Sequence, residues 1–348
     1  MAAPTESGEQ RRRQLITGCN GDMPTAIATP DVRECPVPLI TRGGEPHVDR
    51  AVRRGELVRV MRGVYAPAQL WRDLPPWDRY LARVHAAVRV YPDVVFVRES
   101  AAALRGLPVF GEPPHVHAVA LGSRATHAVG EIRLHAAERP PQCDEVSGVL
   151  VATGAEIAVD AARLRHPAVA RATADAALRA DPHLTTCCMR AMSETHPSSR
   201  GRRRARDVFD RASAVAESPL ESVSATVIEA LGFPVPEMQR WVRGPEPGED
   251  DRVDFAWLRN DHLVAGEADG DIKYSGALGD ARVALGERRA RDARLMRRGV
   301  HTVHHWTWAD VIAPSQLRAI LLSAGLPLVR QPDLGLLGSL DRALRGLP

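Results

Sequence analysis

Lysine is almost missing from this chain: of 46 Lys and Arg residues among 348, only Lys273 is a lysine. A compact ammonium is therefore offered at one place, and everywhere else the cation is a planar guanidinium. Aromatic residues make up 4%, too few for the stacking platforms that grip single-stranded nucleic acid. No apolar run approaches the ~18–20 residues of a transmembrane helix, so no membrane partner is expected. The opening stretch MAAPTESGEQRRRQ has no apolar core of the signal-peptide kind, which points to a cytoplasmic protein. Cys19, Cys35, Cys143, Cys187 and Cys188 show no metal-ligand spacing, and reduced thiols are expected of them. A net charge of +3 permits nucleic-acid binding, but local clusters must make that case.

A hydrophobic content of 44% with 26% charged residues is that of a globular protein long enough for two or three domains. The densest chemistry lies in Arg252–Tyr274, RVDFAWLRNDHLVAGEADGDIKY. Arg252–Leu258 reads as a strand, Asn260-Asp261 as a turn and His262–Ala268 as the return strand. Asp254 and Glu267 then sit on neighbouring strands, with Asp269 and Lys273 at the end of the second. Carboxylates converging beside an ammonium suit Mg2+ or Mn2+ and a phosphodiester. The acids hold the hard cation, the cation polarises phosphate and acidifies a bound water, and the lysine steadies the developing charge. The plainer alternative is a hairpin of solvated acids with a turn lysine.

Taken in order, residues 1–37 lack periodicity and read as a disordered arm. Residues 38–72 begin with a short helix, Pro46–Arg54, stopped by Gly55. Two strands around Met61-Arg62-Gly63 follow, closed by Pro67. A helix and a two-stranded wing with a basic tip is the plan of a winged helix-turn-helix, with Arg53, Arg54 and Arg62 as the DNA-binding residues. The other reading is a small helix–hairpin packed on the next domain. Residues 73–212 form an α+β middle region: helix Trp77–Val90, strand Val94–Val97, a helix from Glu99, strands His115–Ala120, Glu131–His135 and Val149–Thr153, and a helical stretch Gly154–Arg179. His115, His117, His127 and His135 alternate along strands without an acid or cysteine at ligand spacing, so they are not expected to hold metal. The run HPSSRGRRRARDVFDRA places Arg202, Arg203 and Arg204 at a helix start, either along a phosphate backbone or on a solvated face.

Residues 213–325 open with SPLESVSATVIEALGF, a helix with Ser218 as cap, Pro219 at N1 and Glu221 at the capping-box position. Glu221 either completes the cap or leans over the hairpin as a further metal ligand. Strand Glu237–Val242, the hairpin, an arginine-rich helix (about Ala281–Arg298), strand His301–Trp306 and helix Pro314–Ala324 complete this region. Residues 326–348 read as a loosely tethered helical tail.

Some of these stretches are familiar. GELVRVMRGVYAP resembles the end of the winged helix of AbiEi-type antitoxins, and ESAAALRGLPVFG resembles what lies downstream in those proteins. Over about residues 216–312, SPLES, GFPVPEMQ, RVDFAW, GEADGDIKY and GERRARDARLMRRGV resemble the very-short-patch-repair-like branch of the PD-(D/E)XK nuclease superfamily. The resemblance implies a multidomain α+β and α/β protein: a winged-helix-like unit, the middle region, and a restriction-endonuclease-like α/β domain with a mixed sheet flanked by helices. It assigns Glu221 as the helix acid, Asp254 as the metal aspartate, Glu267 as the second-strand acid and Lys273 as the basic residue. The usual motif sets the lysine two residues after its acid, where this chain has Asp269. The expected catalytic set is therefore Asp254, Glu267 and Lys273. The expected ligands of Mg2+ or Mn2+ are Asp254, Glu267, Glu221 and Asp269. Two functions fit: a metal-dependent DNA endonuclease or nicking enzyme, and an antitoxin-type regulator that binds DNA through the winged helix, with a cognate toxin as partner and a silent nuclease fold kept as scaffold. A third reading is an interaction protein that binds neither metal nor DNA.

Overall fold

The computed structural model describes residues 31–42, 47–120, 125–137, 140–246, 249–270 and 278–347. The chain divides into two compact units. One draws on 1–165, His183–Asp207 and the residues from Arg342; the other is His166–Pro182 with Val208–Asp341.

The first unit opens with β1 (Ile40–Thr41), α1 (Val48–Arg53), β2 (Leu57–Met61) and β3 (Val64–Pro67), the strands forming an antiparallel sheet of order β1-β3-β2. Arg62-Gly63 makes the turn, with Gly63 at φ 80°, a backbone that glycine adopts freely. Val48, Leu57 and Tyr65 form the small core beneath it. Helices α2 (Ala68–Asp73) and α3 (Pro76–Val90) lead into β4 (Val95–Phe96), α4 (Arg98–Leu104), β5 (Val116–Val119), β6 (His127–Val129), β7 (Ile132–His135), β8 (Cys143–Val146) and β9 (Val149–Ala152). These six strands make a mixed sheet of order β6-β7-β5-β4-β9-β8. The sequence reading places 31–37 in the arm. Instead Val37 is buried and Arg33 N donates to the Leu104 carbonyl at 2.7 Å, so this segment belongs with the unit.

The helical stretch expected over Gly154–Arg179 is two helices, α5 (Gly154–Leu164) and α6 (Pro167–Ala180). Arg165 and His166 are extended between them, because Pro167 disfavours helical backbone in the residue before it. Helices α7 (Thr186–Thr195) and α8 (Arg202–Phe209) follow.

In the second unit, α9 (Pro219–Ala230) precedes β10 (Glu237–Val242), β11 (Asp251–Arg259) and β12 (His262–Ala268). Next come α10 (Leu278–Arg297), β13 (Val300–Trp306), α11 (Trp308–Ile312), α12 (Pro314–Ser323) and α13 (Leu334–Leu344). The sheet runs β10-β11-β12-β13; its first three strands are antiparallel, and β13 joins β12 in parallel through the α10 crossover. Asn260 and Asp261 both have positive φ, 45° and 64°, as a two-residue hairpin turn of the primed kind requires. Phe255 lies against the Trp306 ring at 5.0 Å between centroids, and Trp306 Nε1 donates to Ser224 Oγ of α9 at 2.9 Å. Leu295 of α10 joins Val253, Ala256, Ala265 and Val300 in a second cluster. With apolar groups covered on both faces, β11 reads as a near-continuous apolar run rather than an alternation.

α9 is buried on all sides from Leu220 to Ala230. The alanines of α6 admit it closely, and its buried Glu229 is bonded by Arg171 and Arg211, each at 2.8 Å. The tail is held rather than loose. Val329 N donates to Gly232 O and Asp333 N to Ala230 O, both at 2.8 Å, using carbonyls that the end of α9 leaves without intrahelical partners. Among the described residues, no helix is long and apolar enough to cross a membrane.

Candidate functional site

Three carboxylates reach one region of the second unit from three elements. Ser218 Oγ accepts from Glu221 N at 3.2 Å, which fixes Glu221 in the first turn of α9. The Glu221 side chain is bonded from two sides: Oε2 accepts from Glu217 N at 2.9 Å, one residue before the Ser218 cap, and from Gln239 Nε2 at 2.7 Å. The same Gln239 nitrogen reaches Asp254 Oδ1 at 3.1 Å. Asp254 Oδ2 accepts from Ala268 N on the neighbouring strand at 2.9 Å. Glu267 is buried, its side chain 5% exposed, with Arg291 Nη2 3.1 Å from Oε1. That pair is close but not aligned as a hydrogen bond, so Oε1 has no hydrogen-bond partner. The same Arg291 nitrogen donates to the Arg252 carbonyl at 2.7 Å.

Burial, with help from a neighbouring acid, raises the proton affinity of two of these carboxyls. Burial, and then the charge of Asp254, push the Glu267 carboxyl up to about 7. Burial raises Asp254 as well; the Ala268 N–H opposes this and the Glu221 charge adds to it. The Arg291 charge opposes both shifts without cancelling them, and titratable groups perturbed by burial and by a charged neighbour are of the kind that mark functional sites.

Asp269 is tied elsewhere. Its N–H donates to the Trp306 carbonyl at 2.9 Å, and its Oδ2 meets His305 Nδ1 at 3.0 Å and Arg288 Nη1 at 2.8 Å. His305, the cross-strand partner of Glu267, touches Asp292 through Nε2 at 3.2 Å. Burial works against a charged His305, but the bond and charge of Asp269 outweigh it and the imidazole is raised. Of the four expected ligands, Glu221, Asp254 and Glu267 are therefore brought together, and Asp269 belongs to an ion network beside them. Lys273 lies outside the described residues. Among those residues no three His, Cys, Asp or Glu side chains stand as a ready coordination shell. The donor chemistry nevertheless fits a hard divalent cation: one carboxylate oxygen without a hydrogen bond, and an amide nitrogen spanning two other acids.

The chain is 36% identical over 216 residues to two Mycobacterium tuberculosis proteins, uncharacterized protein Rv2248 of strain ATCC 25618 / H37Rv and uncharacterized protein MT2308 of strain CDC 1551 / Oshkosh. The match covers 60% of this chain and 73% of each relative. The chain belongs to the family of these proteins. No protein-family model matches it, and no solved structure does.

The arginines expected at DNA are unequally free in this member of the Rv2248 family. Arg53 and Arg54 are exposed at the end of α1, where Arg53 Nε donates to Asp49 O at 3.2 Å and Arg54 pairs with Glu56 at 2.8 Å. Arg62 is exposed at the β2–β3 turn. In α8, Arg202 Nη2 donates to His196 O at 3.3 Å and Arg204 Nη1 to Arg165 O at 3.0 Å. Arg206 forks onto Glu194 at 2.6 and 2.7 Å. Arg203 is exposed and has no partner among the described residues. Three of these four α8 arginines are thus bonded within the first unit.

The histidines of the middle region face one another. His117 Nδ1 and His135 Nε2 are 2.9 Å apart, and burial followed by the Arg98 charge holds both rings down to about 3. Sequence reasoning names Arg291 and Asp292 only as members of the arginine-rich helix, with no place at the site, and does not single out Gln239 or His305. The strand His301–Trp306 did carry a signal, since His304 and His305 are a polar pair directly before the buried Trp306. Nothing in Glu-Met-Gln announces the backbone that aims Gln239.

Proposed function

We propose that the protein is a metal-dependent DNA endonuclease or nicking enzyme that hydrolyses phosphodiester bonds with Mg2+ or Mn2+ at Glu221, Asp254 and Glu267. The observation that carries this reading is the junction of the three acids: Gln239 spans Glu221 and Asp254, and Asp254 in turn raises Glu267. The element order of the second unit (helix, three antiparallel strands, crossover helix, parallel strand) supports the restriction-endonuclease-like fold that the motifs suggest. The helix and two-stranded wing of the first unit support a winged-helix-like DNA contact through Arg53, Arg54 and Arg62, with Arg202, Arg203 and Arg204 as a second basic surface.

When bound, the divalent cation polarises the phosphate and acidifies its water. The chain's own groups do the rest. The Ala268 N–H orients Asp254 through Oδ2, leaving Oδ1 free to turn from Gln239 to the cation. Glu267 lies across the strand pair from Asp254, with its Oε1 outside any hydrogen bond, and would hold the cation from the β12 side. Arg291, held by the Arg252 carbonyl, sets a positive charge beside Glu267. Lys273, the only ammonium, is assigned the developing charge on phosphate.

The test is cleavage of supercoiled plasmid with Mg2+ or Mn2+, beside an Asp254→Ala protein made identically. Nicking by the native protein alone is the expected result. Equal silence from both, with no metal binding by calorimetry, would favour the second reading: an antitoxin-type DNA-binding regulator with a cognate toxin and a silent nuclease fold. That reading draws support from Asp269, which fills the usual lysine slot and is bound to His305 and Arg288.

A further inference from the structure

Gln239 touches two of the three acids, and does so from a backbone that strands do not adopt. Its φ is 55°, although Met238 pairs with Phe255 on one side and Arg240 with Val253 on the other. A left-handed residue other than glycine costs roughly 1–2 kcal/mol, and persists where its surroundings fix it. At this position the twist takes Gln239 out of the ladder opposite Asp254. It aims the amide between Asp254 Oδ1, at 3.1 Å, and Glu221 Oε2, at 2.7 Å. The nearby guanidinium groups are engaged by other acids, Arg291 beside Glu267 and Arg252 with Glu217. A neutral amide, and not a cationic side chain, therefore stands between the two carboxylates from α9 and β11.

We propose that Gln239 is a ligand of the cation at this site and, in its absence, the placeholder for it. The inference rests on reading Glu221, Asp254 and Glu267 as a cation site. Without the cation, the Gln239 NH2 donates to both carboxylates and holds them together. An amide nitrogen cannot ligate a cation, whereas the amide oxygen is a hard donor of the kind Mg2+ and Mn2+ take. The terminal amide torsion is broad and roughly two-fold. A half-turn exchanges nitrogen for oxygen without moving the strand, so Glu221, Asp254 and the Gln239 Oε1 then meet the ion together.

The experiment titrates MnCl2 into the full-length protein by calorimetry and follows thermal unfolding with and without Mn2+. It compares native protein with Gln239→Ala, Gln239→Gly, Gln239→Glu and Asp254→Ala. Gln239→Ala should bind Mn2+ about tenfold more weakly or worse, on the scale seen when groups around a metal are removed. Gln239→Glu, which restores an oxygen, should match or exceed the native affinity, and Asp254→Ala should lose binding. Without metal, Gln239→Gly should melt about 2 °C or more above Gln239→Ala, since both lack the amide and only glycine accepts the left-handed backbone. Native affinity in Gln239→Ala with binding lost in Asp254→Ala would overturn the ligand role and leave the cation site standing. No heat from native protein would overturn both. A Gln239→Ala protein at least as stable as Gln239→Gly would remove the strain on which the placeholder role depends.

Discussion

Gly266 and Trp306 share one space across the β12–β13 pair: a Cβ at position 266 would lie 2.6 Å from Cζ3 of the indole. The ring is fully buried and anchored through Nε1 to Ser224, so it has nowhere to retreat. The glycine next to Glu267 is thus a packing requirement of the strand that presents the acid. Gly266→Ala should cost about 1–3 kcal/mol, as overpacked cores do, and weaken Mn2+ binding because Glu267 moves with its neighbour. Urea unfolding and calorimetry measure the two effects, and native-like stability would mean that the indole has room to shift.

Glu267 makes stability depend on pH in a stated direction. Its folded value, about 7, lies above its ordinary value of 4.5. Its contribution is therefore full below 4.5 and is lost as pH rises through about 7. Glu267→Gln has no such loss, and should be near parity with native protein at pH 4.5 and more stable at pH 8, by about 3 kcal/mol at most. Saturating Mn2+ should close the gap. Unfolding at a series of pH values gives the comparison, and a constant difference would place Glu267 in an ordinary solvated setting.

Asp251 shows the opposite behaviour. Arg294 forks onto it with two bonds of 2.8 Å, and Arg298 bonds it as well. The Arg294 bond leads in holding this carboxyl below its ordinary range, against the opposing effect of burial. Its contribution is present above the usual carboxylate value and is lost only as pH falls through the lowered one. Asp251→Ala should cost about 2 kcal/mol near neutrality, the scale of hydrogen bonds to charged groups, and this difference should vanish in acid. A deficit that persists at pH 2 would assign the loss to packing instead.

Arg203 and Arg206 are one turn apart with different duties. Arg206 is spent on Glu194, whereas Arg203 faces outward without a partner among the described residues. If α8 lies along DNA, Arg203→Ala should weaken binding evenly across sequences and lower the salt slope by about one phosphate contact, leaving the melting temperature unchanged. Anisotropy titrations at several salt concentrations read the slope. An unchanged slope would put Arg203 away from phosphate.

What the sequence makes legible here is local. The Asn260-Asp261 turn is announced by residues that tolerate positive φ, and the start of α9 by Ser218, Pro219 and Glu221 within four positions. β10 follows the expected bounds, Glu237–Val242. Asp254 and Glu267 are legible because a hairpin with a known turn fixes which residues face each other, and Glu221 because it stands third in a marked helix start. The remainder depends on distance in the chain or on tertiary override. His305 meets Asp269 across 36 positions, and Arg291 reaches Glu267 from a helix whose arginines look alike in sequence. The break at Arg165 was hidden by the alanine-rich periodicity on both sides of Pro167, although the proline itself marked it. β6 is three exposed residues held only by pairing with β7, which leaves no apolar pattern to read.

The chain passes between its compact units four times, after Arg165, Pro182, Asp207 and Asp341. Neither unit is therefore a continuous stretch of gene. A fragment cloned from residue 213 onward omits Arg171 and Arg211, which hydrogen-bond the buried Glu229 carboxylate, and keeps Arg330 at 3.8 Å from it. It also uncovers the face of α9 that the alanines of α6 seal. Deletion mapping of this protein will report misfolding as loss of function. A graft of the carboxylate-bearing unit onto another protein succeeds only if the segment 166–182 travels with it.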